Sequence, residues 1–122
     1  KTAKGKYVAP TPIENLLGTN SYSEQSCGTG SSLPQPIALV MINEGDTTAR
    51  EVLHDSLLAT LEETNRQLES HERLSGIVVC DEPWSVENDL LTPTLKLKRD
   101  QIEARYNDVI ARQDSEKVSW TA

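Results

Sequence analysis

Ile37-Ala-Leu-Val-Met-Ile42 is the longest uninterrupted apolar run in the chain. A continuous run, rather than an alternation of apolar and polar residues, is typical of a strand that is buried on both faces. We therefore predict that residues 37–42 form the core strand of a sheet. A more polar segment, Glu24–Cys27, precedes it, and the glycines and prolines between the two segments predict a hairpin.

The stretch Cys27-Gly-Thr-Gly-Ser-Ser32 contains glycines and hydroxyls, as phosphate-binding loops do. A phosphate loop also needs a preceding apolar strand, a lysine and the start of a helix. Here Pro34 and Pro36 follow the glycines, and no basic residue lies nearby. We therefore interpret this stretch as the turn of the hairpin.

Beyond the core strand the apolar period changes from that of a strand to that of a helix. An apolar stripe at three- and four-residue steps comprises Val52, Leu53, Leu57, Leu58, Leu61 and Leu68. It predicts a helix or helix pair that runs to about Leu74, with Thr48 and Glu51 as a capping box. The short apolar run Gly76–Cys80 then predicts a second strand, so that strand, helix and strand form a crossover unit on one sheet.

The segment Trp84-Ser-Val-Glu-Asn-Asp-Leu-Leu-Thr-Pro-Thr-Leu-Lys-Leu-Lys-Arg99 leads from a turn into a cationic edge. Asn88-Asp89 predicts the turn, and Pro93 stiffens the chain behind it. The alternation Leu95-Lys96-Leu97-Lys98 predicts an extended strand with both ammonium groups on one side. From the residues alone this face is either an anion-binding site or a solvated strand edge that resists aggregation.

Both ends of the chain carry shorter helical patterns. Ile13, Leu16 and Leu17 predict a helix with Pro12 in its first turn and Gly18 as its stop. A last helix follows the cationic edge, with Asp100 and Glu103 as its cap and an apolar side formed by Ile102, Tyr106, Val109 and Ile110. The polar tail beyond it predicts a loose segment.

Composition limits the class of protein. The chain has 122 residues, which is one domain's worth, and a net charge of −7, which argues against nucleic acid as a partner. It contains no transmembrane run, and Cys27 and Cys80 fall in or near predicted strands, which indicates reduced, buried thiols and a cytoplasmic setting. His54 and His71 have no ligand-like companion, so we predict no metal site and assign them no role.

The charges are unevenly distributed. Twelve acidic residues but only three arginines lie between Glu44 and Asp89. The cations gather instead at two segments, which contain Lys1, Lys4 and Lys6, and Lys96, Lys98 and Arg99. We expect phosphate groups to be attracted to these two segments.

Residues 86–99 closely resemble a segment near the C-terminus of the AMP-forming long-chain acyl-CoA synthetases, which are adenylate-forming enzymes. The resemblance implies that Lys96 is catalytic in the first half-reaction, where it contacts the fatty-acid carboxylate and the ATP phosphate under attack. A compact cation on a flexible stem suits this task because negative charge gathers from two anions. One position departs from the family, which usually has Gly where this chain has Asp89.

The N-terminal segment also resembles these synthetases. In the family a glycine-containing hairpin, here Lys4-Gly5-Lys6-Tyr7-Val8-Ala9-Pro10, opens the small C-terminal domain. It turns toward the active site in the second half-reaction and lines the pantetheine channel. The resemblance therefore implies that Gly5, with Lys4 and Lys6, contributes to a CoA channel, and the missing side chain of Gly5 lets a thin ligand pass.

The resemblance implies an α+β fold, with a small mixed sheet, flanking helices and an N-terminal hairpin. Residues 1–122 would be the mobile C-terminal domain of a fatty acid–CoA ligase, inactive alone, with the hinge and an N-terminal ATP- and acyl-binding domain upstream. The whole enzyme would use fatty acid, ATP, CoA and Mg²⁺, none of them bound by this domain alone, and peripheral membrane association is a possible property. The alternative is a stand-alone acidic interaction module that docks partners on its leucine-striped helix.

Overall fold

The structure, a computed structural model, describes residues 10–29, 35–43, 47–80, 82–112 and 117–121. Along the chain its elements are α1 (Pro10–Leu17), β1 (Ser23–Thr29), β2 (Ile37–Ile42), α2 (Arg50–Arg66), β3 (Ile77–Cys80), α3 (Arg99–Arg105), α4 (Asn107–Arg112) and β4 (Val118–Trp120). The predicted N-terminal hairpin, residues 4–10, lies outside the described residues except for Pro10, which begins α1.

The four strands form one sheet in the order β1-β2-β3-β4. β1 runs antiparallel to β2, whereas β3 and β4 continue the sheet in parallel, with Leu39 opposite Val78. The predicted hairpin of β1 and β2, the crossover through α2 and the small mixed sheet of an α+β fold are therefore confirmed, although Cys27–Thr29, predicted as part of the turn, belong to β1. β2 is central and almost entirely buried, as its unbroken apolar run predicts.

Alternate residues of β2 enter two different hydrophobic clusters, because successive side chains of a strand point to opposite faces. Ala38 and Val40 pack on one face with apolar residues of α1 and α2. Leu39 and Met41 pack on the other face with α3 and with the segment that carries the lysines. The sheet thus carries α1 and α2 on one face, and α3 with the segment that carries the lysines on the other.

The helix α2 is shorter than its apolar pattern predicts. It ends at Arg66 rather than near Leu74, because the side-chain amide of Asn65 accepts a hydrogen bond from Leu74 N–H at 2.8 Å and donates to Leu74 O at 3.0 Å. These two hydrogen bonds hold the chain in a reversal after α2, so that Leu68 and Leu74 pack in the core from a loop. The leucines of α2 pack in the domain's own core, where Leu57 is 1% exposed. They therefore do not form the exposed docking face that the alternative function requires.

Two further details of α2 differ from the prediction. Val52 lies outside the apolar stripe and is 49% exposed, because the buried side of the helix is formed by Leu53, Leu57, Leu61 and Thr64. The predicted capping box is also wrong, since the N-cap residue is Ala49, which has no side chain able to accept a hydrogen bond.

The C-terminal region differs from the prediction in three ways. The predicted last helix is divided into α3 and α4 at Tyr106, although Ile102 and Tyr106 are buried as expected. Lys98 is the N-cap residue of α3 and no side chain caps it, so the predicted cap by Asp100 and Glu103 is wrong. Within the tail, which was expected to be loose, Val118–Trp120 form β4.

Trp120 of β4 packs against the start of α2. Its ring lies 4.9 Å from the guanidinium carbon of Arg50 and is stacked on the ring of His54 at a centroid distance of 6.3 Å. The position of His54 beside this ring is a packing contact. β4 is thus paired with β3 and packed against α2, both of which are far away in sequence.

The predictions for α1 and for the two cysteines agree with the structure. α1 ends at Leu17, directly before Gly18, and its Ile13 and Leu17 are buried. Cys27 and Cys80, both among the described residues, are buried thiols that form no disulfide. Of the helices that the structure describes, none is both long and apolar enough to cross a bilayer.

Candidate functional site

Residues 90–98 fold into a closed loop, which we call the lysine hairpin. Thr92 N–H donates to Lys96 O at 2.8 Å, and Lys98 N–H donates to Leu90 O at 2.9 Å. Leu91 and Leu97 face each other in an isolated antiparallel bridge. The backbone of the hairpin is therefore closed by its own hydrogen bonds, with Lys96 near the tip.

A compact turn precedes the lysine hairpin and is held by Asn88. The side-chain oxygen of Asn88 accepts hydrogen bonds from Ser85 N–H at 3.0 Å and Leu90 N–H at 3.3 Å, and its amide nitrogen donates to Pro83 O at 2.8 Å. Asp89 adopts the left-handed conformation, with φ of 66°. The predicted Asn88-Asp89 turn is confirmed, and Asp89 occupies a conformation that glycine adopts without strain and aspartate tolerates.

The expected alternation over residues 95–98 is wrong. Leu95 has a φ of 62° and is 61% exposed, whereas Leu97 is half-buried against the core. The reason is a tight turn after Pro93, in which Leu95 N–H donates to Thr92 O at 2.7 Å. An extended strand has no such turn, and the two leucines therefore do not share a face.

The three cations of this segment have different environments. Lys98 forms an ion pair with Asp89, and Arg99 forms one with Glu14. Lys96 is exposed, and within the described part of the chain its ammonium group has no hydrogen bond or ion pair. Of the predicted cationic face, only Lys96 remains available to an external anion.

Lys96 is held through its backbone. Its N–H donates to the hydroxyl of Thr92 at 3.1 Å, and that hydroxyl lies 3.1 Å from the hydroxyl of Thr94. These contacts fix the Cα position and leave the side chain free to extend. An ammonium on a flexible stem is thus presented to solvent from a defined backbone.

Arg99 is deeply integrated into the fold. Its guanidinium donates to both carboxylate oxygens of Glu14, at 2.6 and 3.2 Å, to Gly28 O at 3.1 Å and to Cys27 Sγ at 3.4 Å. The hydrogen bond to Glu14 raises the pKa of Arg99 further above its ordinary value, so the guanidinium stays charged. Burial raises the pKa of the Cys27 thiol to about 12, although the charge of Arg99 opposes this shift.

Glu14 was not predicted to belong to the site. In α1 it occupies an ordinary polar position between apolar residues, and 85 residues separate it from Arg99. No local pattern predicts a pairing over that distance. Arg99 itself was predicted to be one of the anion-binding cations, whereas its charge is engaged inside the domain.

A second network anchors the beginning of the segment. Trp84 Nε1–H donates to the hydroxyl of Tyr106 at 3.1 Å, and this hydroxyl donates to Glu82 at 2.9 Å. Arg105 Nε–H donates to the same carboxylate at 2.7 Å. Burial, the main cause, raises the pKa of Tyr106, so the phenol remains a neutral hydrogen-bond donor. The beginning of the segment that carries the lysines is therefore tied to the C-terminal end of α3 and to Tyr106, which caps that helix.

The predicted CoA-channel residues Lys4, Gly5 and Lys6 lie outside the described residues. Among the described residues, no three His, Cys, Asp or Glu side chains come together in a set able to bind a metal ion. Of the three predicted site cations that the structure describes, Lys96 is thus the one whose charge is not paired.

Comparison with known proteins gives a consistent result. The sequence profile described as "AMP-binding enzyme C-terminal domain" matches residues 2–116. The chain is 29% identical to long chain acyl-CoA synthetase 7, peroxisomal, of Arabidopsis thaliana, with 95% of the chain and 19% of that protein covered. It is 32% identical to long-chain-fatty-acid–CoA ligase 5 of Rattus norvegicus, with 81% of the chain and 17% of that protein covered. The chain thus spans about a fifth of the length of these relatives.

Solved structures agree with the sequence comparison. The A-PCP didomain of carboxylic acid reductase from Segniliparus rugosus, solved in complex with AMP, superposes with a TM-score of 0.74 at 26% identity, over 92% of this chain and 16% of that one. The adenylation domain of the carboxylate reductase from Mycobacterium chelonae superposes with a TM-score of 0.76 at 22% identity, over 92% of this chain and 18% of that one, and supports the fold alone.

Proposed function

This chain belongs to the family of AMP-binding enzyme C-terminal domains, and we propose that it is the mobile C-terminal domain of a long-chain fatty acid–CoA ligase. The whole protein would activate a fatty acid with ATP to an acyl-adenylate and then transfer the acyl group to CoA. The proposal is supported by relatives that are long-chain acyl-CoA synthetases and ligases. As a fragment without the remaining part of such an enzyme, the chain would be inactive.

The observation that carries the proposal is the environment of Lys96. Its ammonium is exposed, while Asp89 and Glu14 neutralise the two neighbouring cations. Carboxylate attack on a phosphate brings two anions together, and a positioned cation stabilises the charge that they share in the transition state. Lys96 is the described cation of this hairpin that is able to do so without first breaking an ion pair.

The chain's own residues would supply binding and electrostatics in the first half-reaction. Lys96 would contact the fatty-acid carboxylate and the α-phosphate of ATP, so that pyrophosphate leaves as the acyl-phosphate bond forms. Mg²⁺ would accompany the ATP phosphates, whose negative charge it neutralises. Lys4, Gly5 and Lys6 would line the CoA channel in the second half-reaction.

The similar proteins include carboxylic acid reductases, so the competing assignment is that this chain belongs to such a reductase. The proposed first step, formation of an acyl-adenylate, does not distinguish the two. We favour the ligase because the acyl-CoA synthetases cover up to 95% of this chain at 29% identity. Production of acyl-CoA from the adenylate is the property that separates the two assignments.

The experiment compares Lys96→Ala with Lys98→Ala in the complete protein. We expect Lys96→Ala to slow pyrophosphate release from fatty acid and ATP by about 10²- to 10³-fold, the usual effect of removing one preorganised donor to a developing anion. Conversion of supplied acyl-adenylate and CoA to acyl-CoA should continue at the normal rate.

Lys98→Ala is the matched control, because it removes the same charge two positions away but from a lysine already paired with Asp89. Its adenylation rate should remain within about threefold of the wild type, as exposed ion pairs contribute little. Normal adenylate formation by Lys96→Ala would show that the role given to Lys96 is wrong.

A further inference from the structure

We propose that Arg99 and Glu14 are positioning residues that set the direction in which the lysine hairpin presents Lys96. This inference rests on the proposed function and adds to it, since neither residue would touch a substrate. The carrying observation is the bidentate contact between the Arg99 guanidinium and the Glu14 carboxylate, at 2.6 and 3.2 Å.

The lysine hairpin is a single closed unit, and its base is the end at which Leu90 and Lys98 are hydrogen-bonded. Hydrogen bonds between Thr92 and Lys96, and between Leu90 and Lys98, close it internally. Arg99 follows Lys98 directly and is the first residue of α3. A rotation at the base therefore carries Lys96 along, and the contacts of Arg99 act only three residues away from it.

Arg99 connects this base to two other elements. Glu14 lies on α1 and also accepts a hydrogen bond from Gly28 N–H at 2.7 Å, while Arg99 donates to Gly28 O at 3.1 Å. Residue 28 of β1 is thus bonded to both members of the ion pair. α1, β1 and the hairpin base meet in one polar cluster of fixed geometry.

The character of the ion pair favours a positioning role over simple stabilisation. The side chains of Arg99 and Glu14 are only 32% and 13% exposed, so their desolvation offsets much of their attraction. A planar guanidinium also fixes the orientation of the two side chains, because its two parallel N–H groups match the two oxygens of one carboxylate. A lysine at the same position would keep the charge and lose this alignment.

Lys96 needs such support because, among the described residues, its ammonium group has no hydrogen bond or ion pair. A catalytic group that is displaced by about 1 Å loses on the order of 10²-fold in rate. Preorganisation must therefore come through the backbone of the hairpin and the residues that fix its base. Arg99 and Glu14 hold that base from the side of α1 and β1.

The test uses Arg99→Lys and Glu14→Gln in the complete protein. Glu14→Gln keeps an oxygen for Gly28 N–H and removes the charge, so it serves as the milder variant if Arg99→Lys folds poorly. We expect both variants to lower kcat for adenylate formation by about 10- to 100-fold while the KM for ATP changes by less than about threefold. Acyl-CoA formation from supplied acyl-adenylate should be unchanged.

Leu57→Ala is the stability control, since Leu57 is buried in the cluster of α1 and α2, on the face of the sheet opposite the lysine hairpin. It should lower the melting temperature at least as much as Glu14→Gln does, and leave the ratio of the two half-reaction rates unchanged. A positioning role predicts a changed ratio in the Arg99 and Glu14 variants alone. Equal loss of both half-reactions in those variants, or no loss in either, would overturn the inference.

Lys96→Ala, measured in the same assays, separates the two proposals. If Lys96→Ala slows adenylation and the Arg99 and Glu14 variants do not, the positioning role is wrong and the proposed function stands. If Lys96→Ala forms adenylate normally, the proposed function of Lys96 is wrong, and the positioning role, which depends on it, is overturned too.

Discussion

Asp89, whose φ is 66°, forms an ion pair with Lys98 across the base of the lysine hairpin. One residue therefore closes the turn and neutralises the cation two positions from Lys96. Glycine, which is usual at this position in the resembling synthetases, serves the first purpose only. Because Asp89 pairs with Lys98, the charge of Lys98 is neutralised, while no described residue neutralises that of Lys96.

Asp89→Gly and Asp89→Val separate the conformation from the charge. Glycine adopts a positive φ freely and loses only an exposed ion pair, so we expect a change in unfolding free energy of less than about 1 kcal/mol. Valine is strained at this φ and should cost about 1–3 kcal/mol. Denaturant unfolding measures both, and equal destabilisation by the two variants would contradict this assignment.

Leu57→Ala and Val52→Ala test the orientation of α2. Leu57 is 1% exposed and Val52 is 49% exposed. We expect Leu57→Ala to lower the free energy of unfolding by about 2–5 kcal/mol through the cavity that it leaves, and Val52→Ala by less than about 1 kcal/mol. Chemical denaturation is the measurement, and a reversed order would place the apolar stripe on the other side of the helix.

The thiol of Cys27 should be unreactive in the folded protein. Burial raises its pKa from 9.0 to about 12, so almost no thiolate exists near pH 9, whereas about half would be thiolate in the unfolded chain. Alkylation by iodoacetamide at about pH 9, followed by mass spectrometry at this site, should be at least ~100-fold slower than in denaturant. Rapid labelling of the native protein would contradict the burial of Cys27.

The same shift predicts how Cys27 affects stability with pH. Because folding raises the pKa of the thiol, the folded protein favours the protonated form. The resulting contribution to the free energy of unfolding is complete below pH 9.0 and is lost as the pH rises from 9.0 toward about 12. The free energy of unfolding of the wild type should therefore fall, relative to that of Cys27→Ala, over this range. A constant difference between the two would show that the thiol does not titrate differently on folding.

Gly5→Leu tests the part of the proposal that concerns the second half-reaction. Because a bulky side chain would obstruct pantetheine, we expect pyrophosphate release to remain nearly normal while acyl-CoA production stops, the opposite of Lys96→Ala. Both products are measured in parallel with the complete protein. Unchanged acyl-CoA output would show that the N-terminal hairpin around Gly5 takes no part in the mechanism. Equal loss of both activities would indicate a misfolded turn.

The sequence by itself determined the elements whose signals are local. The run Ile37–Ile42 identified the central strand, because a short and continuous apolar segment is typical of a strand covered on both faces. The leucine spacing identified α2, although a loop also contributed Leu68 and Leu74 to the core. The motif around Lys96 identified the residue on which the proposed function rests.

Only the tertiary structure decided which of the cations are available. Lys98 and Arg99 are indistinguishable from Lys96 by charge, and their partners become visible only when the chain is folded. Glu14 lies 85 residues from Arg99, and Trp120 reaches Arg50 and His54 by joining the sheet as β4. Such contacts depend on how separate elements pack together, and local propensity and periodicity carry no information about that packing.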